Sequence, residues 1–202
     1  RRSIPGIDSL ECRKLLSTIH SVAAEVGAAS ATPPTVLSNR PAEAADDGPS
    51  TASFVDPTAV VRNVRGIAVG ANVFIGPFAN LSARHGATIT IGDSSDVQDN
   101  VSIRAAGRDR SVAIGDRAIL AHNATVVGPA TIGALGGDAA FVGFNAVIDG
   151  ATVQPGAMVS SLARVAPGVV IPTGMKVKPG MFIETQAEAE QVDLGKVTPV
   201  TS

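Results

Sequence analysis

The side chains able to do acid–base or metal chemistry are few and scattered. There are three histidines, His20, His85 and His122, and one thiol, Cys12. A single cysteine excludes an internal disulfide and a cysteine-only metal cage. His122 stands inside "ILAHNATVVGPATIG", Ile119 to Gly133, a stretch that otherwise reads as buried strand and turn. An imidazole in that setting can serve as a metal ligand, as a base, or as a polar residue held by a hydrogen bond. His85, in "SARHGAT", reads as an exposed loop residue, and His20 as a surface or half-buried residue of a helix.

The elements that must position these groups follow from composition. The chain has 202 residues, enough for one ordinary domain. Trp and Tyr are absent and Phe numbers 6, so the interior is built from Val, Ile, Ala and Leu. Frequent Gly (21) and Pro (13) imply many tight turns, which favours an all-β architecture over a helical bundle. Lys and Arg number 16 against 18 Asp and Glu, with no run of basic residues to track a phosphate backbone, so nucleic acid is a poor partner. No apolar run approaches the ~20 residues that span a bilayer.

Apolar residues at Leu15, Ile19, Val22 and Val26 form a helical stripe, with Asp8 and Glu11 spaced as a capping-box variant and Gly27 as a stop. Residues 1–27 therefore read as an N-terminal helix, and 28–53, rich in Ala, Pro, Ser and Asp, as a linker or extended wrap. From there the chain repeats. Val153, Val159, Val165, Ile171, Val177 and Ile183 are spaced by six, as are Ile114, Leu120, Val126 and Ile132. A period of six fits neither a helix nor an ordinary alternating strand, and is the hexapeptide signature of a β-helix. Each hexad supplies one short strand and one turn, three make a triangular coil, and small residues such as Ala118, Ala124, Ala130 and Ala146 fit the corners. The period slips after Leu81, after Ile103 and after Ile132, where projecting loops are expected. The repeat spans 54–184; residues 185–202, "TQAEAEQVDLGKVTPVTS", form a C-terminal cap and tail.

The run "GDSSDVQDNVSI", "AIGDRAILAHNATVVGPATIG", "VGFNAVIDGATVQPGAMV" and "IPTGMKVKPGMFIETQAEAE" resembles the γ-class carbonic anhydrases and their carboxysomal and mitochondrial complex I relatives, over roughly Phe54 to Glu190. The resemblance implies a left-handed parallel β-helix that trimerises, with zinc held between subunits by three histidines and activating water for attack on CO₂. Carried over position by position, the ligands fall on Arg104, His122 and Val127, so one of three is retained. A guanidinium stays positive and repels zinc, and Val127 offers only methyl groups. Gln98 and Asp99 match the polar pair near the zinc water and the subunit contact. The intersubunit and proton-shuttle positions fall on Ser82, Arg84 and His85. Counting hexads puts Arg104 and Val127 on one face of successive coils and His122 on the neighbouring edge, the position that donates its ligand across the interface.

What the resemblance implies is a catalytically inactive homologue: a trimeric structural or assembly subunit with a degenerate zinc site, which does not hydrate CO₂ as a homotrimer and needs no cofactor. One alternative is a heterotrimer in which His122 completes the zinc site of a histidine-complete paralogue, within a larger complex of the mitochondrial kind. Another reading leaves His122 as an interface filler, hydrogen-bonded to a carbonyl or to Asp99. A third is a hexapeptide acyltransferase with His122 or His85 as general base, although no lysine-rich or aromatic loop is available for an acyl donor. Arg84 and Arg104 could instead form an anion pocket. The start at Arg1, with no Met, is compatible with removal of an export or an organelle-targeting segment and does not choose between them; a processed mitochondrial protein is slightly favoured over a cytoplasmic or exported one.

Overall fold

A chain that supplies one aliphatic side chain and one small residue every six positions buries them by turning a corner after each short strand. The computed structural model describes residues 52–200, so the helix expected over 1–27 and the linker as far as residue 51 lie outside the described residues. The first coil comprises β1 (Phe54–Val55), β2 (Val60–Arg62) and β3 (Ile67–Val69). The second has β4 (Phe74–Ile75), β5 (Asn80–Arg84) and β6 (Ile89–Ile91), and the third β7 (Asp96–Val97), β8 (Ser102–Ala106) and β9 (Val112–Ile114). The fourth has β10 (Ile119–Leu120), β11 (Thr125–Val127) and β12 (Ala130–Ile132), and the fifth β13 (Phe141–Val142), β14 (Val147–Asp149) and β15 (Thr152–Val153). The sixth has β16 (Met158–Val159), β17 (Arg164–Val165) and β18 (Val170–Ile171). β19 (Met175–Val177) and β20 (Phe182–Ile183) open a seventh, which ends in helix α1 (Gln186–Glu190) and strand β21 (Val197–Pro199).

Corresponding strands of successive coils pair in parallel and make three faces. The first runs from β1 through β4, β7, β10, β13 and β16 to β19, the second from β2 through β5, β8, β11, β14 and β17 to β20, and the third from β3 to β18. This is the expected left-handed parallel β-helix, nearly all β. Rungs lie ~4.8 Å apart, so inward side chains stack into columns. On the second face Leu81, Ile103, Val126, Ile148, Val165 and Ile183 form one such column, all buried. Ala118, Ala124, Ala130 and Ala146 are buried at the corners, where a longer side chain would meet the columns.

At two of the three slips the chain first lengthens a strand and then turns, at residues 85–88 and 107–111. After Leu81 and Ile103 the added residues lengthen β5 and β8 together, and the two strands pair over five positions, from Asn80↔Ser102 to Arg84↔Ala106. Matched lengthening satisfies backbone groups that separate loops would leave to solvent. The third slip, residues 133–140, is a loop whose Leu135 is exposed.

The C-terminal end of the helix is closed by side chains as well as by backbone. β21 pairs antiparallel with β19. The Gln186 amide takes the place of a further strand beside β18, accepting from the Val170 N–H at 2.9 Å and donating to its carbonyl at 2.8 Å. Thr185 and Glu188 form a capping box at the start of α1, and Lys196 Nζ lies 2.6 Å from Glu188 Oε1. These contacts are what the "QAEAE" stretch does physically.

Candidate functional site

The pleat of the second face directs alternate side chains outward and stacks them by register. One outward column reads Arg62, Ser82, Arg104, Val127, Asp149, with Ser82 opposite Arg104 and Arg104 opposite Val127. Arg104 and Val127 thus sit on neighbouring rungs of one face. Arg104 is exposed, and Ser82 is buried between the two arginines of the column.

His122 follows β10 in the corner between the first and second faces. Each coil from the second to the sixth turns this corner on a left-handed residue: Phe78, Asn100, Asn123, Asn145 and Leu162. Asn tolerates that conformation, which holds His122 one residue before it, above Asp99 and below Phe144. His122 Nδ1 lies 3.8 Å from Asp99 Oδ2, and the imidazole stacks on the Phe144 ring at 5.5 Å with an interplanar angle of 15°. The side chains of His122 and Asp99 are both a little under half exposed. Asp99 faces one ring nitrogen, so the other remains open.

Gln98 is turned elsewhere. Its Nε2 donates to Asp96 Oδ2 at 2.9 Å, and Asp96 Oδ1 and Gln98 Oε1 are buried with no hydrogen-bond partner among the described residues. Asp96 was not singled out from the sequence; its place at the outward position of β7, between Phe74 and Ile119, is the signal a hexad count offers. Arg84 ends β5, and His85 begins the following turn with φ 53°. Both are exposed at the edge between the second and third faces, so the second face separates them from His122 and Asp99.

The donors do not fit a three-imidazole zinc ion. Arg104 and Val127 contribute a permanent cation and an alkyl group, and among the described residues no group of three or more His, Cys, Asp and Glu side chains is placed to hold a metal ion. The "GPA" segment keeps its role in the fold nonetheless. A Cβ at Gly128 would collide with the Arg110 carbonyl oxygen, so the corner after β11 closes only with glycine.

No protein-family model matches the chain. It is 32% identical over 120 residues to a carbonic anhydrase of Methanosarcina thermophila, covering 48% of this chain and 47% of that protein. It is 35% identical over 139 residues to the carboxysome assembly protein CcmM of a Nostoc species, covering 64% of this chain and 23% of that protein. The chain therefore spans less than half the length of either relative. Among solved structures, a protein provisionally named an acetyltransferase from Desulfovibrio desulfuricans superposes with a TM-score of 0.53 at 18% identity, over 74% of this chain and 29% of that one, a likeness of fold alone. Repeat, fold and relatives together make this chain a γ-carbonic-anhydrase-like hexapeptide-repeat protein.

Proposed function

We propose that the chain is a structural or assembly subunit: a γ-carbonic-anhydrase-like β-helix that forms a trimer and does not hydrate CO₂ as three identical copies. The observation that carries this reading is the second-face column, where Arg104 and Val127 occupy adjacent rungs that would each need an imidazole. Support for assembly comes from the corner that carries His122. Phe78 and Leu162 hold left-handed backbone conformations and are 61% and 63% exposed, and Phe144 between them is 46% exposed. Left-handed geometry costs a bulky residue roughly 1–2 kcal/mol, and water-facing Phe and Leu gain nothing from burial. Both penalties are offset where a neighbouring copy covers the corner. A ring of three heterologous contacts would set this corner against the neighbour's second face, leaving Arg104 to pair with Asp99 of the next copy in place of a metal.

Tests follow for the purified chain: native mass, zinc content and CO₂ hydration. The reading expects three copies, no stoichiometric zinc and no hydration above the buffer rate. A zinc-loaded homotrimer that hydrates CO₂ would overturn it.

One feature favours a second reading, donation of His122 to a histidine-complete paralogue. Asp99 lies 3.8 Å from His122 Nδ1, on the side of the ring away from Nε2, and a small closure of that gap would orient the imidazole for donation across an interface. Co-expression with such a paralogue is the test. His122→Ala should then remove zinc from the mixed trimer, and zinc retained in full would contradict donation. The acyltransferase alternative has no support beyond fold.

A further inference from the structure

Six arginines spaced through the sequence are brought together by the coil period. Arg62 and Arg65 come from the first coil, Arg84 from the second, and Arg104, Arg108 and Arg110 from the third. They line the second face and its edge with the third face over three rungs, a height of ~10 Å. All six are exposed, and the one carboxylate among them is Asp109. Among the described residues the carboxylates in charge contacts are Asp99, near His122, and Glu188, with Lys196, so none of the six arginines is paired. No run of basic residues marks this edge in the sequence. Arginines far apart in sequence become neighbours because each coil returns to the same edge.

The arrangement is held in place. Gly107 N–H donates to the Arg84 carbonyl at 3.0 Å, which ties the third-coil turn to the second. A Cβ at Gly86 would lie 3.2 Å from Arg108 Cγ, so the Arg108 stem lies across a residue with no side chain. Beside it opens a shallow cleft of about 460 Å³, where Arg108, Asp109, Ser111, Thr131 and Thr152 stand among small and apolar residues. Acids collect on the opposite edge, between the third and first faces. There Asp93 and Asp116 accept from backbone N–H groups of the neighbouring coils. A formal net charge of −2 thus conceals one strongly cationic edge.

We infer that this edge docks an acidic segment of a partner protein. Like charges gathered over three rungs repel one another, and an anionic occupant relieves that repulsion. Arg rather than Lys throughout suits bidentate pairing with carboxylates. A patch three rungs high matches a short Asp/Glu-rich segment, whereas a nucleic acid duplex needs a longer cationic track and single strands need aromatic stacking platforms. Arg62 and Arg104 lie on the second face that the assembly reading sets against a neighbouring copy, so the docking edge proper is Arg65, Arg84, Arg108 and Arg110, and variants there test docking apart from trimer formation.

The experiment titrates the full chain with a short fluorescent polyglutamate peptide, a DNA duplex and phosphatidylserine vesicles at one ionic strength. Binding to polyglutamate is expected, weakening as salt is raised. The triple variant Arg65→Glu, Arg108→Glu, Arg110→Glu should weaken it by about tenfold or more, since none of these side chains makes a hydrogen bond or ion pair among the described residues that the change would break. Lys178→Glu, at the far end of the helix, should leave it unchanged. The milder variant with alanine at the same three positions should fall between, and circular dichroism and native mass should match the parent for both. Equal binding by the triple variant, absence of binding, or preference for DNA or vesicles would each overturn the inference.

Discussion

At the scale of single residues, the molecule places a cation where the resemblance calls for a metal ligand. Arg104→His with Val127→His converts two adjacent rungs of the second face to imidazoles, and in a trimer His122 of a neighbour supplies the third. The double variant is expected to bind zinc stoichiometrically by elemental analysis; a metal-free double variant would mean that the corner and face do not meet. Leu162→Asn separates folding from assembly. Relief of the left-handed strain should raise the stability of the dissociated chain by about 1 kcal/mol in denaturant unfolding. Loss of the apolar side chain should at the same time weaken the trimer by sedimentation. The Arg104 and Val127 substitutions and the edge position of His122 were legible in the sequence, because a six-residue period fixes which positions share a face. The Asp96–Gln98 bond was not, since the period does not say which way a side chain turns once it reaches the surface.

At the scale of elements, stability depends on how each coil's backbone is completed. Gln186→Ala removes both partners of the Val170 backbone, with an expected loss of about 1–3 kcal/mol and faster amide exchange at Val170 and its neighbours on β18. The adjacent pair adds a pH dependence. Glu188 has its carboxyl pKa lowered, first by its hydrogen bond with Lys196 and then by the Glu184 N–H. Its folded pKa lies below the unfolded value, so its contribution is present above the ordinary carboxylate range and is lost as pH falls through the folded pKa. Thermal unfolding of the parent and of Glu188→Gln should therefore converge under acid conditions and differ at neutral pH. The sequence marked "QAEAE" as a cap without showing how it works, because Gln186 and Val170 are neighbours only after the coil closes. The loops it expected after Leu81 and Ile103 are shortened to turns by paired strand extensions for a related reason: two insertions on adjacent rungs satisfy each other.

For the whole molecule, the regular interior and the irregular surface have different origins. The columns of Val, Ile and Leu follow from the hexad period alone, so fold class and the order of faces could be read before any coordinates. Of the cationic edge only the pair Arg84 and Arg104 was read, and the apolar corner was not, since each is assembled from residues about twenty positions apart that no local pattern connects. A helix of stacked coils with three flat faces gives such surfaces rigidity, which suits a part that others dock against. The most direct test of that account is the native mass of the full chain, measured together with its zinc content and CO₂ hydration rate. Three copies, without stoichiometric zinc and with hydration no faster than buffer, is the predicted result. A monomer, or a zinc-containing homotrimer that turns over CO₂, would contradict it.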